Sequence, residues 1–193
     1  MSEIAFALFD TAIGRCAIAW NARGIAGVGF PEGSEQATRT RMLRRHPAAR
    51  EASPPPDVRS VIDDIVALLA GSPRDFGHAR LDMTGLSDLQ RRVYEVAQKI
   101  PPGATLTYGE IAERLGDRLL ARDVGEALGL NPFPIIVPCH RVVAAGGKTG
   151  GFSAPGGVRT KLRLLSIEGA DPAGEGPGLF ERLPLTAAPR RRS

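Results

Sequence analysis

Apolar residues recur over residues 4–30 in short blocks, "IAFALF", "CAIAW" and "IAGVGF", separated by "AIG" and "NARG". Blocks of this length broken by glycine-containing turns predict a meander of strands. From residue 34 the pattern changes. Residues 34–47 read as an arginine-rich helix, and "EASPPPD" breaks the chain behind it. Asp57 then stands where a helix cap belongs. Val58, Val61, Ile62, Ile65 and Leu69 fall on one helical face, which Gly71 closes. "ARLDMTG" offers one more short strand. Beyond residue 86 helical spacing takes over. Ser87 and Gln90 form an S-x-x-Q capping pair, and Leu89, Val93, Val96, Ala97 and Ile100 make a stripe that "PPG" ends.

Thr107 and Glu110 repeat the capping pattern, with Ile111, Ala112 and Leu115 facing inward and Gly116 closing the helix. Asp117 is placed to cap a second helix, in which Leu120, Val124, Ala127 and Leu128 share a buried face. Two short helices joined by a tight glycine turn are a helix-turn-helix candidate. Arg122 lies at the centre of the outer face, between small Gly125 and Gly129. Glu126, one turn further on, either counts against a DNA contact or pairs with Arg122. The division predicted is residues 1–86, residues 87–169, and a Pro/Gly-rich basic tail over 170–193 with the composition of a flexible end.

Composition narrows the class. The chain has 193 residues, 42% of them hydrophobic, enough for a core. No apolar run approaches ~20 residues, so no membrane span is expected. The start "MSEIAFALFD" lacks the basic region of a secretory signal, and two distant cysteines make no disulfide framework. A cytoplasmic setting follows. There is no C-x-x-C, and three scattered histidines match no closed zinc site, so no metal is expected. The net charge of +4 points mildly to a polyanionic partner, although "RTRMLRRHPAAR" and the tail supply much of it.

Cys16 sits in a strand-like block and reads as a small core hydrophobe. Cys139 is different, because it stands between Pro138 and His140 in "NPFPIIVPCHRVV". Strand neighbours point to opposite faces, and Pro138 has no N–H for a ladder. The apolar run 135–137 should therefore end there, with the thiol at a bend or a helix start. A thiol acts as a nucleophile only as thiolate, and an adjacent histidine can take its proton. That histidine needs an orienting acid, for which Glu168 in "LLSIEGA" is a candidate. Adjacency alone fits a buried structural thiol better. A cysteine hydrolase would bring its histidine from afar, and only His46 and His78 are available.

The order of motifs changes this balance. "TYGEIA", "ARDVGEAL", "NPFPIIVPCHRVV", "GGKTGGFSAPGG" and "KLRLLSIEG" follow one another at near-family spacing. This series resembles the O6-alkylguanine-DNA alkyltransferases, whose acceptor-cysteine signature is "PCHRV" after an "NP" turn. The resemblance is dense over 87–169 and loose over 1–86. It implies an α/β N-terminal domain with a small antiparallel sheet, and a helical C-terminal domain containing the helix-turn-helix.

The resemblance also implies roles. Arg122, with Gly125 beside it, enters the minor groove of duplex DNA and fills the gap left by a rotated O6-alkylguanine. Asn131 holds the turn before the active segment. Cys139 thiolate attacks the alkyl carbon, with His140 as base through a water and Glu168 polarising it. Tyr108 donates to the departing guanine, and Phe152 and Ser153 wall the base pocket. A thioether has no hydrolytic route back to thiol, so each molecule, a monomer, acts once with no cofactor and no metal. An alkyl group at a tight bend should cost about 1–3 kcal/mol by overpacking. Three departures from the family stand out. Asp123 and Glu126 replace small neutral residues, "FSAPGG" is longer by about two residues, and Phe152 stands where tyrosine is common. Two alternatives remain, a non-catalytic sensor of alkylated DNA and a cysteine hydrolase. Relatives of the first kind replace the acceptor cysteine, and Cys139 is intact.

Overall fold

The computed structural model describes residues 3–170; the predicted flexible tail lies, but for residue 170, outside the described residues. The meander forms as β1 (Ala5–Thr11), β2 (Gly14–Asn21) and β3 (Gly24–Gly29), antiparallel neighbours in that order. Alternation then sorts the side chains. Phe6, Ala17 and Ala19 face one way and meet Met42 of α1 (Glu35–Arg45). Cys16, Ile18 and Trp20 face the main core, with Val61, Ile62 and Ile65 of α2 (Pro56–Leu69). Cys16 is fully buried, and burial pushes its thiol up to about 11, as suits an inert core residue.

The sheet is mixed, which corrects the purely antiparallel expectation. β4 (Arg50–Glu51) runs parallel to β1 on its outer edge. Both its residues are exposed and charged, so no apolar pattern announces it. Residues 80–82 bond to Ile25 at the opposite edge but form only an isolated bridge, not the strand predicted there. Asp57 is not a cap either. Pro55 holds that position and Pro56 opens α2, where proline's missing N–H costs nothing. Asp57 lies inside the first turn, where its charge faces the helix dipole favourably.

In the second half, α3 (Asp88–Gln98) and α4 (Tyr108–Arg114) both start with the predicted capping boxes. Asp117 caps a single 3-10 turn, Arg118–Leu120, and α5 (Ala121–Gly129) follows it directly. The Tyr94 hydroxyl of α3 donates to the Ala127 carbonyl of α5 at 2.8 Å, and its ring meets Phe133 edge-on. A two-stranded parallel ribbon, β5 (Leu106–Thr107) with β6 (Val142–Val143), ties the start of α4 to the chain leaving Cys139. α6 (Val158–Ile167) closes the structure. One buried apolar cluster runs from β1 and β2 through α2, α3 and α5 to Ile135–Val137.

Candidate active site

Three segments converge on Cys139. The first is the turn between α5 and the cysteine. Asn131 pins both its ends: Oδ1 accepts from the Phe133 amide at 2.9 Å, and Nδ2 donates to the Val137 carbonyl at 2.8 Å. The turn is tight enough to force Ile135 to φ 77°, a conformation a β-branched residue rarely adopts. The sheet supports it from outside. The Val28 amide of β3 and Arg45 of α1 both donate to the Pro132 carbonyl.

The second segment is a 3-10 turn, Cys139–Arg141, that opens right after Pro138. The helix start expected at the proline is thus a 3-10 one. Cys139 is half-buried, while His140 and Arg141 are buried. The third segment is the C-terminal end of α6, which delivers Glu168. His140 Nε2 lies 2.9 Å from Glu168 Oε1. Arg141 grips the same carboxylate twice, from Nε and Nη2, at 2.8 Å each, and Nη1 donates to the Ile100 carbonyl. A carboxylate at a helix C-terminus opposes the dipole, so this guanidinium is what makes the position tenable. Burial pushes Glu168 up, but the bonds from His140 and Arg141 outweigh it and hold the carboxyl at about 2.

That geometry fixes the imidazole. A carboxylate accepts only, so Nε2 carries the proton and Nδ1 keeps its lone pair. Nδ1 is buried with no hydrogen-bond partner among the described residues. Burial holds the ring's pKa below 6.5, so it is a neutral base near pH 7, even with Glu168 raising it. Burial also pushes the Cys139 thiol above its ordinary 9.0. The Asn131 amide, the Lys161 ammonium and the backbone amides of Cys139 and His140 pull the other way without prevailing.

The remaining predicted residues surround the thiol. Tyr108 opens α4 and is half-buried. Burial, then the thiolate charge, raises its pKa, so the phenol stays a donor. Gly150, at φ 70°, lies so close that a Cβ there would sit 3.0 Å from the Tyr108 hydroxyl. Tyr108, Gly125, Cys139, Phe152 and Ser153 line one cavity together. Ser153 Oγ donates to the Gly129 carbonyl at 2.9 Å, tying the pocket loop to α5. Phe152 packs edge-on against Phe30 beside β3. Arg122 is exposed on the outer face of α5, and no ion pair joins it to Glu126 among the described residues, against the pairing considered for it.

Two further residues escaped the sequence reading. Arg141 is the first, although an arginine followed by apolar residues in "CHRVV" is itself a sign of a buried partner. Lys161 is fully buried. Its Nζ donates to the Val142 carbonyl at 2.5 Å and the Gly151 carbonyl at 3.3 Å, and lies 5.8 Å from the Tyr108 ring centre. Burial lowers it to about 8. Its spacing from Leu164, Leu165 and Glu168 on one face of α6 was the legible signal.

Fold and site together define a helix-turn-helix protein with an activatable cysteine behind its outer helix, braced by an α/β half. Residues 88–170 match the family model for the 6-O-methylguanine DNA methyltransferase DNA-binding domain. A methylated-DNA–protein-cysteine methyltransferase of Methanothermobacter thermautotrophicus is 42% identical over 127 residues, covering 66% of this chain and 70% of that protein. A DNA base-flipping protein of Thermus thermophilus is 44% identical over 110 residues, covering 57% and 72%. The fold is similar to a Mycobacterium tuberculosis OGT crystallised with DNA, with a TM-score of 0.69 and 33% identity over 86% of this chain and 92% of that one. The chain belongs to the methylated-DNA–protein-cysteine methyltransferase family.

Proposed function

We propose that this protein repairs DNA by direct reversal, moving the alkyl group of O6-alkylguanine in duplex DNA onto Cys139. The observation that carries this reading is the Cys139, His140 and Glu168 arrangement. The carboxylate fixes the Nε2 proton at 2.9 Å, which leaves the buried Nδ1 lone pair as the base. A water between Nδ1 and the thiol relays the proton. The thiolate attacks the alkyl carbon in line, and an S–C bond forms as the C–O bond breaks. The electron pair leaves with guanine O6, and the base takes up a proton with Tyr108 as donor.

Arg122 stands on the exposed face of α5, three residues before the cavity-lining Gly125, and replaces the rotated base in the stack. Gly125 keeps the helix surface low there: a Cβ would come 3.7 Å from the Tyr108 ring. Asn131 holds the turn, and Phe152 and Ser153 wall the base. We take the acting species to be a monomer. No helix among the described residues is long and apolar enough to cross a membrane, and a cytoplasmic setting with access to DNA suits the role. We take residues 1–86 as the bracing domain and 87–169 as the DNA-reading one.

The test is an equimolar mix of protein with a duplex carrying one O6-methylguanine, followed by intact and peptide masses. One methyl on the Cys139 peptide, saturating at one per protein and lost in Cys139→Ala, is the expected result. DNA retention without transfer would favour lesion binding alone, the reading that the similarity to a base-flipping protein supports. Turnover on an acyl substrate without DNA would mark a hydrolase.

A further inference from the structure

Cys139 lines two cavities. One, bounded by Tyr108, Gly125 and Gly151, opens beside α5. The other, about 230 Å³, leads from Cys139 past Asn131, Pro134 and Phe30 to the C-terminal half of α1. Gly129, Phe152 and Ser153 border both. The wall supplied by α1 consists of Arg41 and Arg45.

These two arginines differ in how they are balanced. Arg41 pairs with Glu32 at 2.9 Å. Arg45 donates to the Val28 and Pro132 carbonyls, and no carboxylate pairs with it among the described residues. Arg41 is near enough to repel it. The wall therefore carries two guanidinium groups against one carboxylate, an electrostatic surplus facing a cavity that the nucleophile also lines.

In-line displacement demands that sulfur, carbon and oxygen be collinear. Any substituent on that carbon then projects sideways from the line. A methyl group asks for nothing more, but a –CH2–X group needs room beside the sulfur, away from the base. The second cavity supplies it, apolar at Pro134 and Phe152 and cationic at its end.

Resting on the alkyl-transfer reading, we propose that this second cavity is a substrate subsite for O6 substituents ending in a carboxylate, O6-carboxymethylguanine being the smallest, with Arg41 and Arg45 as its anion-recognising wall. The step balances as for methyl. Cys139 thiolate forms an S–CH2 bond, the C–O bond breaks, guanine keeps the electron pair and gains a proton, and S-carboxymethylcysteine remains. Without nearby cations an anionic substituent repels the attacking thiolate, and the two arginines offset that repulsion.

The experiment measures single-turnover rates, protein in excess, on duplexes carrying O6-methylguanine, O6-carboxymethylguanine or the neutral isostere O6-carbamoylmethylguanine. Wild type should transfer the carboxymethyl group at least as fast as the carbamoylmethyl group. In Arg41→Met/Arg45→Met that ratio should fall about tenfold or more, and in Arg41→Met by less. The ratio compares two substrates in one sample, so loss of folded protein cancels. An unchanged ratio, with both rates falling together, would show that the arginines serve DNA phosphate or the fold, and would overturn the subsite. So would methyl transfer without carboxymethyl transfer. No transfer of any group would overturn the alkyl-transfer reading beneath it.

Discussion

At Cys139 two shifted groups bound a pH window. The thiol is pushed above 9.0 by burial, so it stays protonated across the neutral range until a base takes the proton. His140 is held below 6.5, so it is already deprotonated over that range and can take it. The proton passes from thiol to imidazole within the site, so the single-turnover rate should rise as His140 deprotonates below pH 6.5 and stay level from there to about pH 9. A rate that climbs about tenfold per pH unit through pH 7 in a rapid-quench profile would contradict this assignment. The acid–base pair was partly legible in the sequence. Cys139 and His140 are neighbours, and the strand argument shows that they cannot cooperate without a bend. Glu168 lies 28 positions away, and no spacing rule brings it to the imidazole.

Elements carry the next set of consequences. Glu168 at the end of α6 and Arg141 in the 3-10 turn form a buried ion pair, each side chain about 3% exposed. Removing one partner strands the other charge, so Arg141→Met should cost about 3–5 kcal/mol, and Arg141→Met/Glu168→Gln less than the sum of the two single changes. Denaturant titrations of the three variants check this. The same carboxylate sets an acid limit. Its folded pKa of about 2 lies below the ordinary 4.5, so its stabilisation is complete above pH 4.5 and is lost as pH falls towards 2. The loss should be about 2–3 kcal/mol, read from unfolding midpoints at successive pH values. Between α3 and α5, Tyr94→Phe deletes one buried hydrogen bond and leaves the Ala127 carbonyl without that donor. A cost of about 1–2 kcal/mol is expected, read from the midpoint of urea unfolding.

At the scale of the molecule, the first half braces the second. Val28 and Arg45 hold the Pro132 carbonyl, and Phe30 backs Phe152 of the pocket loop. The site is thus fitted between parts distant in sequence, and a group added to Cys139 must share that space. Transfer should lower stability, by about 1–3 kcal/mol for a group that presses on Phe152 and Ser153. Because the thiol opens on cavities, methyl should cost least and bulkier groups more. At about 2–4 °C per kcal/mol, a series of alkylated proteins should melt at progressively lower temperatures. Equal melting temperatures for free and alkylated protein would defeat the expectation.

The sequence by itself determined what short-range chemistry can fix. Capping residues placed the starts of α3 and α4, short apolar blocks between glycine turns placed β1 to β3, and Pro138 forced the chain to bend at the thiol. These depend on neighbours within a few positions, and such rules survive in any fold. Tertiary structure alone decided the rest. β4, β5 and β6 have two residues each, too few to show a period, and exist because packed helices lay those segments side by side. Asp57 lost its cap to Pro55, since proline's fixed φ outweighs a side-chain acceptor one residue or two later. The burial of Lys161 and Arg141, and the orientation of His140 by Glu168, arise where α6 meets the turn after Pro138. Charges enter a core only where carbonyls and carboxylates from other segments await them, and that meeting is a property of the folded chain.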